Sequence, residues 1–371
     1  MTELREVLDY LEATLDTEHL EGVRRRSIAA LQYEPVEPPP LSLSFPVDEE
    51  RWPAYPYAEA FEDPEKMMVN ELLKSFGSTV NSAEVRDDFP LQIRSNHGVG
   101  IIASLFGLNC RIVFDNMPWV DHVETIKEVR QIVDGGLLDL RGGLVARVLE
   151  THAFYRERLA PYPKCRECIH VTQPDLQGPF DIVHLIWGAD VYTALYDEPD
   201  LVRSLLELVT DAYIGVWRLL QPTQSDRADE GHIYLHGQIV SGHALIKDDS
   251  CINLRPEMYR ELVRPCDERI LQAAGGGGIH FCGCGDHLRD EMLSIEGIEC
   301  VDFGQPQQND FGGWQRECAE RKIGIVRLLL NLLEVPAGEV RTRFSTGIGL
   351  FYQADDREDA LAYLAEVRRS A

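Results

Sequence analysis

The stretch Gly275-Gly276-Gly277-Gly278-Ile279-His280-Phe281-Cys282-Gly283-Cys284-Gly285 decides the reading of the fold. Glycine carries no Cβ, so a glycine run ends a helix and opens a turn at little steric cost. The residues before it, Pro256 to Ala273, carry a helical pattern. Those from Gly277 to Cys282 have the length of a buried strand, closed by further glycines. Helix, glycine break and short buried strand in succession are what a βα unit of a parallel sheet requires. Seven more apolar or alternating runs separated by helical stretches occur at Leu41 to Phe45, Phe89 to Ser95, Ile169 to Gln173, His243 to Asp248, Ile298 to Phe303, Gly324 to Arg327 and Val340 to Phe344. Eight strands alternating with helices predict an α/β protein built as a (β/α)8 TIM barrel.

The helices between the strands follow from spacing. Leu201, Val202, Leu205, Leu206, Val209, Tyr213, Val216 and Trp217 form one apolar stripe, and Pro199 suits a first helical turn. Arg357 to Arg369 is the expected last helix. Helices at Glu3 to Leu15 and Thr17 to Leu31 precede the proline cluster Pro35, Pro38, Pro39 and Pro40, where helix must stop. Residues 1–40 are thus expected to form an N-terminal helical extension of a single domain spanning 1–371. The irregular segment from Arg51 to Pro90 reads as an elaboration of the first βα connection, placed to help form a lid.

With 36 Lys+Arg against 62 Asp+Glu, the net charge of −26 repels phosphate backbones and anionic lipid alike, so neither nucleic acid nor membrane is an expected partner. No run approaches the ~18 uninterrupted apolar residues of a membrane span, and Met1 to Leu20 has no apolar block of a signal peptide. Nine cysteines, an odd number, suit a reducing compartment. A cytoplasmic enzyme with a small-molecule substrate is expected.

Chemistry concentrates at the strand ends. Residues two apart in a strand share a face, so His280 and Cys282 point together, into the barrel or into its helical shell. A thiolate and an imidazole on one face suit zinc; the plainer alternative makes both of them, with Cys284, buried core residues. Asp248-Asp249-Ser250 puts carboxylates at another strand end, to bind substrate, to act as a base, or only to shape the turn. Asp175 and Gln177 follow a third strand in the same way, with Asp181 and His184 beyond, and Asp302 closes a fourth. Cys165-Arg166-Glu167-Cys168 has the spacing of a zinc or redox pair, but no second pair completes a structural site.

Taken in order, several segments resemble the uroporphyrinogen decarboxylase superfamily, which includes zinc methyltransferases that move methyl groups between corrinoids and thiols. The resemblance rests on the Arg-rich second helix leading to Pro38-Pro39-Pro40, on Asp175-Leu176-Gln177-Gly178-Pro179-Phe180-Asp181 with Gly188, on Pro256-Glu257-Met258-Tyr259 with Pro265, and on Gly278-Ile279-His280-Phe281-Cys282-Gly283, which is similar to the methyltransferases' histidine-x-cysteine-glycine signature. It covers most of the chain. The departures matter too. The decarboxylases' N-terminal arginines are missing from Arg51-Trp52-Pro53-Ala54-Tyr55-Pro56-Tyr57, their essential aspartate falls at Asn96-His97-Gly98, and a family tyrosine is replaced by His184. The methyltransferases' third zinc cysteine, in a glycine-rich loop after the last strand, falls at Ile348 within Thr346-Gly347-Ile348-Gly349, so either Cys284, Cys300, Asp302, Asp248 or a residue elsewhere completes the set, or the metal is absent.

The resemblance implies zinc at His280, Cys282 and Cys284, a methylcorrinoid donor held by a corrinoid protein, and a thiol acceptor. Asp175, Gln177, Asp248 and Asp302 are the expected substrate contacts. A metal-free lyase acting on a carboxylated or tetrapyrrole substrate, with His97, Asp249 or His184 as acid or base, is the alternative. A third possibility is a binding protein that kept the fold without catalysis.

Overall fold

In a computed structural model that describes residues 2–136, 139–225 and 231–369, eight short parallel strands follow one another along the chain. They are β1 (Leu41–Ser44), β2 (Gln92–Arg94), β3 (His170–Thr172), β4 (Ala244–Lys247), β5 (Gly277–Phe281), β6 (Ile298–Phe303), β7 (Gly324–Leu329) and β8 (Ile348–Gln353). Six pair in the order β1-β8-β7-β6-β5-β4, and β2 pairs with β3. Single backbone bonds cross the two seams: Asp88 N–H to the Leu41 carbonyl (3.0 Å) and Gly178 N–H to the Lys247 carbonyl (2.6 Å). The result is a mixed α/β, TIM-barrel-like arrangement, laddered six and two rather than as one continuous ring.

Six of these strands fall within the runs read from the sequence, and β7 starts with its run and continues two residues past Arg327; the eighth lies elsewhere. Val340–Arg343 is a short helix, with Phe344 N–H bonded to the Val340 carbonyl, and the strand is Ile348–Gln353. Val340 and Phe344 are spaced equally well for one helical turn and for alternate strand positions, so the run was ambiguous. The true strand is disguised by Gly349, a weak strand former.

Alternation along the strands separates two interiors. Leu41, Leu43, Ala244, Ile246, Ile279, Phe281, Val301, Phe303, Ile325, Ile348 and Leu350 face the helices in the main apolar core, each large side chain contributing about 1.5–3 kcal/mol by leaving water. The other face is mostly polar or small, with Ser42, Gln92, Arg94, Lys247, Gly278, His280, Asp302 and Gly349, and carries Leu245, Cys300 and Val326 as its apolar members. A barrel lumen is ordinarily filled by layers of branched side chains. Here an antiparallel hairpin, His232–Leu235 with Gln238–Ser241, occupies that space.

Its contacts lie on strands of both sheets. Gln238 donates to Ser42 Oγ of β1 (2.8 Å), the Ser241 carbonyl meets Cys300 Sγ of β6 (3.6 Å), Tyr234 stacks on His170 of β3, and His236 reaches Asp302. Ile233, Leu235, Ile239 and Val240 pack with Leu245, Cys300 and Val326, and with Leu31 of the helix Thr17–Leu31. That helix also covers the start of β8, where Gly347 N–H bonds to the Ala30 carbonyl. The two N-terminal helices, Leu4–Thr14 and Thr17–Leu31, match the expected extension. Among the described residues no helix is long and apolar enough to cross a membrane.

Gly349 is a glycine because the hairpin leaves no room, and Gly278 because the neighbouring strand β6 leaves none. A Cβ on Gly349 would lie 2.6 Å from Gln238 Oε1, and one on Gly278 would fall against Cys300 Sγ and 2.8 Å from the Cys300 carbonyl oxygen. Gly278→Ala should therefore destabilise the protein by roughly 1–3 kcal/mol in urea unfolding. Gly338→Ala, whose Cβ would meet nothing nearer than 3.8 Å, should stay within about 0.5 kcal/mol of the parent.

Candidate metal centre

Two adjacent strands bring unlike ligand types together at their C-terminal ends. His280 is the penultimate residue of β5 and Cys282 follows it. Asp249 lies two residues beyond β4. His280 Nε2 is 3.6 Å from Cys282 Sγ and 3.6 Å from Asp249 Oδ1, and Cys282 N–H donates to Asp249 Oδ1 at 2.7 Å. The ligand atoms of Asp249, His280 and Cys282 all lie within 4.8 Å of one another. Ligand atoms on a tetrahedral zinc ion with bonds of about 2.0–2.3 Å stand about 3.4–3.6 Å apart, so this sulfur, nitrogen and oxygen set fits zinc. Gly304 makes room for the thiol, since a Cβ there would lie 2.5 Å from Cys282 Sγ. Asp249 and Cys282 are partly open to solvent while His280 is buried.

Behind His280 stands Asp302 of β6, fully buried. Its Oδ2 accepts from His280 Nδ1 and from His236 Nδ1, both at 2.8 Å, and Arg327 Nε lies 3.4 Å from Oδ1. Burial alone would raise this carboxyl, but Arg327, His280 and His236 hold it well below the usual carboxylate range. An ionised carboxylate only accepts hydrogen bonds, so both imidazoles carry their proton on Nδ1. His280 Nε2 is left with its lone pair toward Cys282 and Asp249. Burial pushes the Cys282 thiol up to about 12, and Asp249 beside it adds to the shift.

The remaining sequence-read residues are distributed around this centre. Cys284 lies on an exposed turn, 4.0 Å from Asp286 Oδ2, apart from the clustered ligand atoms. Cys300 faces the hairpin. Asp248 and Asp249 diverge: Asp248 turns into the shell, where its Oδ1 accepts from Asp181 N–H (3.4 Å), and Asp181 in turn accepts from the N–H groups of Asp249 (3.0 Å) and Ser250 (2.6 Å). Asp175 forms ion pairs with Lys247 and with Arg94 (3.2 Å), and Gln177 donates to it at 2.9 Å. His97 faces the shell, 3.2 Å from Thr151 Oγ1 and edge-on to Phe61; burial, with Arg147 nearby, pulls its pKa down to about 3. His184 bonds to Ser250 Oγ at 2.9 Å and lines an apolar groove with Trp119, Val120 and Leu185. Cys165 and Cys168 are buried, and the Cys165 thiol lies 3.7 Å from the Leu8 carbonyl of the first helix.

One expectation is corrected by topology. Thr346-Gly347-Ile348-Gly349 precedes and opens β8 rather than following it, and Ile348 pairs with Ile325 at the start of β7. It lies at the end of the barrel remote from Cys282. Sequence reasoning also missed His236, Arg327, Lys247, Arg94 and Glu71. A signal for His236 existed: His232-Ile233-Tyr234-Leu235 and Gln238-Ile239-Val240-Ser241 flank a two-residue His-Gly turn, the format of a tight hairpin. Arg327 sits where the β7–β8 register shifts, at φ +52°, a bulge that sequence does not announce.

No protein-family model matches the chain, and no curated protein matches it in sequence. Among solved structures, a methyltransferase from Methanosarcina mazei superposes with a TM-score of 0.63 over 93% of this chain and 98% of that one, at 15% sequence identity. At that identity the likeness is one of fold.

A second layer of acids supports the Asp248–Ser250 turn. Asp267 accepts from Tyr259 Oη at 2.7 Å, and burial raises its pKa to about 7, with Glu268 and Asp181 adding to the rise. Its folded pKa lies above the unfolded value near 4. The folded state therefore keeps a proton that the unfolded chain has released, and stability falls as pH rises from about 4 to 7. Asp267→Asn keeps an acceptor for Tyr259 and removes the titration, so its stability relative to the parent should grow between pH 5 and pH 7.5 in parallel urea titrations. A constant difference across that range would exclude Asp267 as the titrating group.

Proposed function

We propose that this chain is a methyltransferase in the uroporphyrinogen decarboxylase and corrinoid methyltransferase superfamily, its eight strands acting as one TIM barrel. Asp249, His280 and Cys282 hold zinc, the acceptor is a thiol, and the donor is a methylcorrinoid carried by a partner protein. The observation that carries this reading is the convergence of a thiol, an imidazole and a carboxylate at the C-terminal strand ends, where such folds do their chemistry. The fold likeness to a methyltransferase supports it.

Charge bookkeeping supports it as well. Among the buried lumen groups, Glu71, Asp175 and Asp302 are matched by Arg94, Lys247 and Arg327. Asp249 and a Cys282 thiolate are left over, and a divalent cation compensates both. Zinc at this position supplies Lewis-acid activation, lowering the pKa of a coordinated thiol so that it is a nucleophile near neutral pH.

The chain's own residues prepare that chemistry. Asp302 holds the proton on His280 Nδ1 and thereby presents Nε2 as the ligand atom. Asp181 holds the Asp249–Ser250 turn through two backbone N–H groups, which sets the carboxylate beside Cys282. The Cys282 proton leaves to solvent through the open side of the site when the cation binds. A carboxy-lyase would need free cations for its substrate, whereas Arg94 and Lys247 are both committed to Asp175.

Purified protein should contain about one zinc per chain by elemental analysis, and Cys282→Ser should lose it while keeping the parent's unfolding midpoint. Because the thiol is held near 12, each metal ion taken up displaces one cysteine proton at neutral pH. Apparent affinity should therefore fall about tenfold per unit as pH drops from 8 to 7. Ile348→Cys, at the far end of β8, should leave zinc content unchanged. Protein that stays zinc-free in zinc-replete medium, or that transfers no methyl group from several methylcorrinoids to thiols when loaded, would sink the proposal.

A further inference from the structure

The hairpin that fills the lumen ends in a two-residue turn, Leu235-His236-Gly237-Gln238, with Leu235 paired to Gln238. Both central residues are left-handed, His236 at φ +53° and Gly237 at φ +73°. Asparagine, aspartate or glycine meets that requirement at low cost at the first position, whereas histidine does so against backbone strain. Strain of this kind persists where the surrounding structure uses the side chain.

The side chain of His236 is held on all sides. Its ring stands perpendicular to that of His280, at 89° with centroids 5.2 Å apart, and Phe76 packs against it at 4.7 Å. Nδ1 donates to Asp302 Oδ2, the same oxygen that accepts from His280 Nδ1. Arg327, the other residue that pairs with Asp302, is also left-handed, at φ +52°. Two strained residues from separate elements thus converge on one buried carboxylate, whose remaining partner is the candidate ligand.

We infer that His236 is a positioning residue for the metal centre: by fixing Asp302 Oδ2 it sets the orientation and the Nδ1–H tautomer of His280, and so keeps His280 Nε2 free to bind the metal. The inference rests on the reading of His280 as a ligand. A purely structural His236 would satisfy a buried carboxylate without consequence for His280. Removing a second partner of this kind ordinarily weakens metal affinity 10–100-fold.

Two substitutions separate the roles. Glycine and asparagine both suit the turn better than histidine, so neither should lower the unfolding midpoint through the backbone. Asparagine places its amide nitrogen near the position of the histidine Nδ1 and keeps a donor for Asp302; glycine does not. With full-length, metal-free protein carrying 15N-labelled histidine, His280 should show the Nδ1–H tautomer in the wild type and in H236N, and a mixture in H236G. Zinc affinity, measured by competition with a chromophoric chelator, should fall roughly 10–100-fold in H236G and remain within about threefold of the wild type in H236N. An Nε2–H tautomer of His280 in the wild type overturns the inference without any variant, as do equal tautomer populations in the wild type and H236G. A wild type that binds no zinc while its His280 tautomer still shifts in H236G overturns the metal reading, and with it the metal-positioning role, and leaves His236 only as the residue that sets the His280 tautomer.

Discussion

The constraint on which the rest of the structure depends is the burial of Asp302. A carboxylate with no access to water must be compensated, and removing one partner of a buried ion pair ordinarily costs about 3–5 kcal/mol. Three partners reach this one, from three places: His280 by a hydrogen bond from the neighbouring strand, His236 by a hydrogen bond from the inserted hairpin, and Arg327 as an ion pair from a bulged strand. Two of the three adopt left-handed backbone angles. The molecule stores strain around one anion, and that anion orients the imidazole at the candidate centre.

The lumen follows from this arrangement. For a hairpin to reach Asp302, inward side chains along its path must be small or able to bond with it, and Gly349, Ser42 and Gln92 meet that need. The hairpin supplies hydrophobic contacts of its own at the N-terminal end, with Leu245, Cys300 and Val326, and polar contacts further along. The apolar burial that holds the strands together lies on their outer faces, against the helices. Stability and chemistry are thereby assigned to opposite faces of the same strands, by alternation of side chains along each one.

How much of this was legible follows from periodicity. The βα alternation, seven of the strands and both N-terminal helices are visible because outward positions repeat in Leu, Ile, Val and Phe. The last strand was hidden by Gly349, whose identity is set by Gln238, more than one hundred residues earlier in the chain. His280 and Cys282 are legible as a pair because two-residue spacing fixes a shared face. Their third companion was legible only in part: adjacent residues point to opposite faces, so one of Asp248 and Asp249 had to address the site, and the strand order Lys247 inward, Asp248 outward gives that place to Asp249 and sends Asp248 to the shell. The partners of Asp302 come from a bulge and a hairpin tip, and no local pattern carries a contact across more than sixty residues such as that from His236.

The two ends of the barrel differ accordingly. At the N-terminal end the helix Thr17–Leu31 and the base of the hairpin cover the strand starts, and the glycine-rich stretch around Ile348 is used in making that closure. A ligand placed there would face packed side chains. At the C-terminal end Asp249 and Cys282 stay partly exposed above a buried His280, so this side of the cluster opens toward solvent. A site needs that asymmetry if it is to exchange substrate while keeping its ligands fixed, because the group that orients them must not move when the mouth does. Asp302 meets this condition: among the described residues its partners come from the hairpin, from β5 and from β7, and none from the mouth loops.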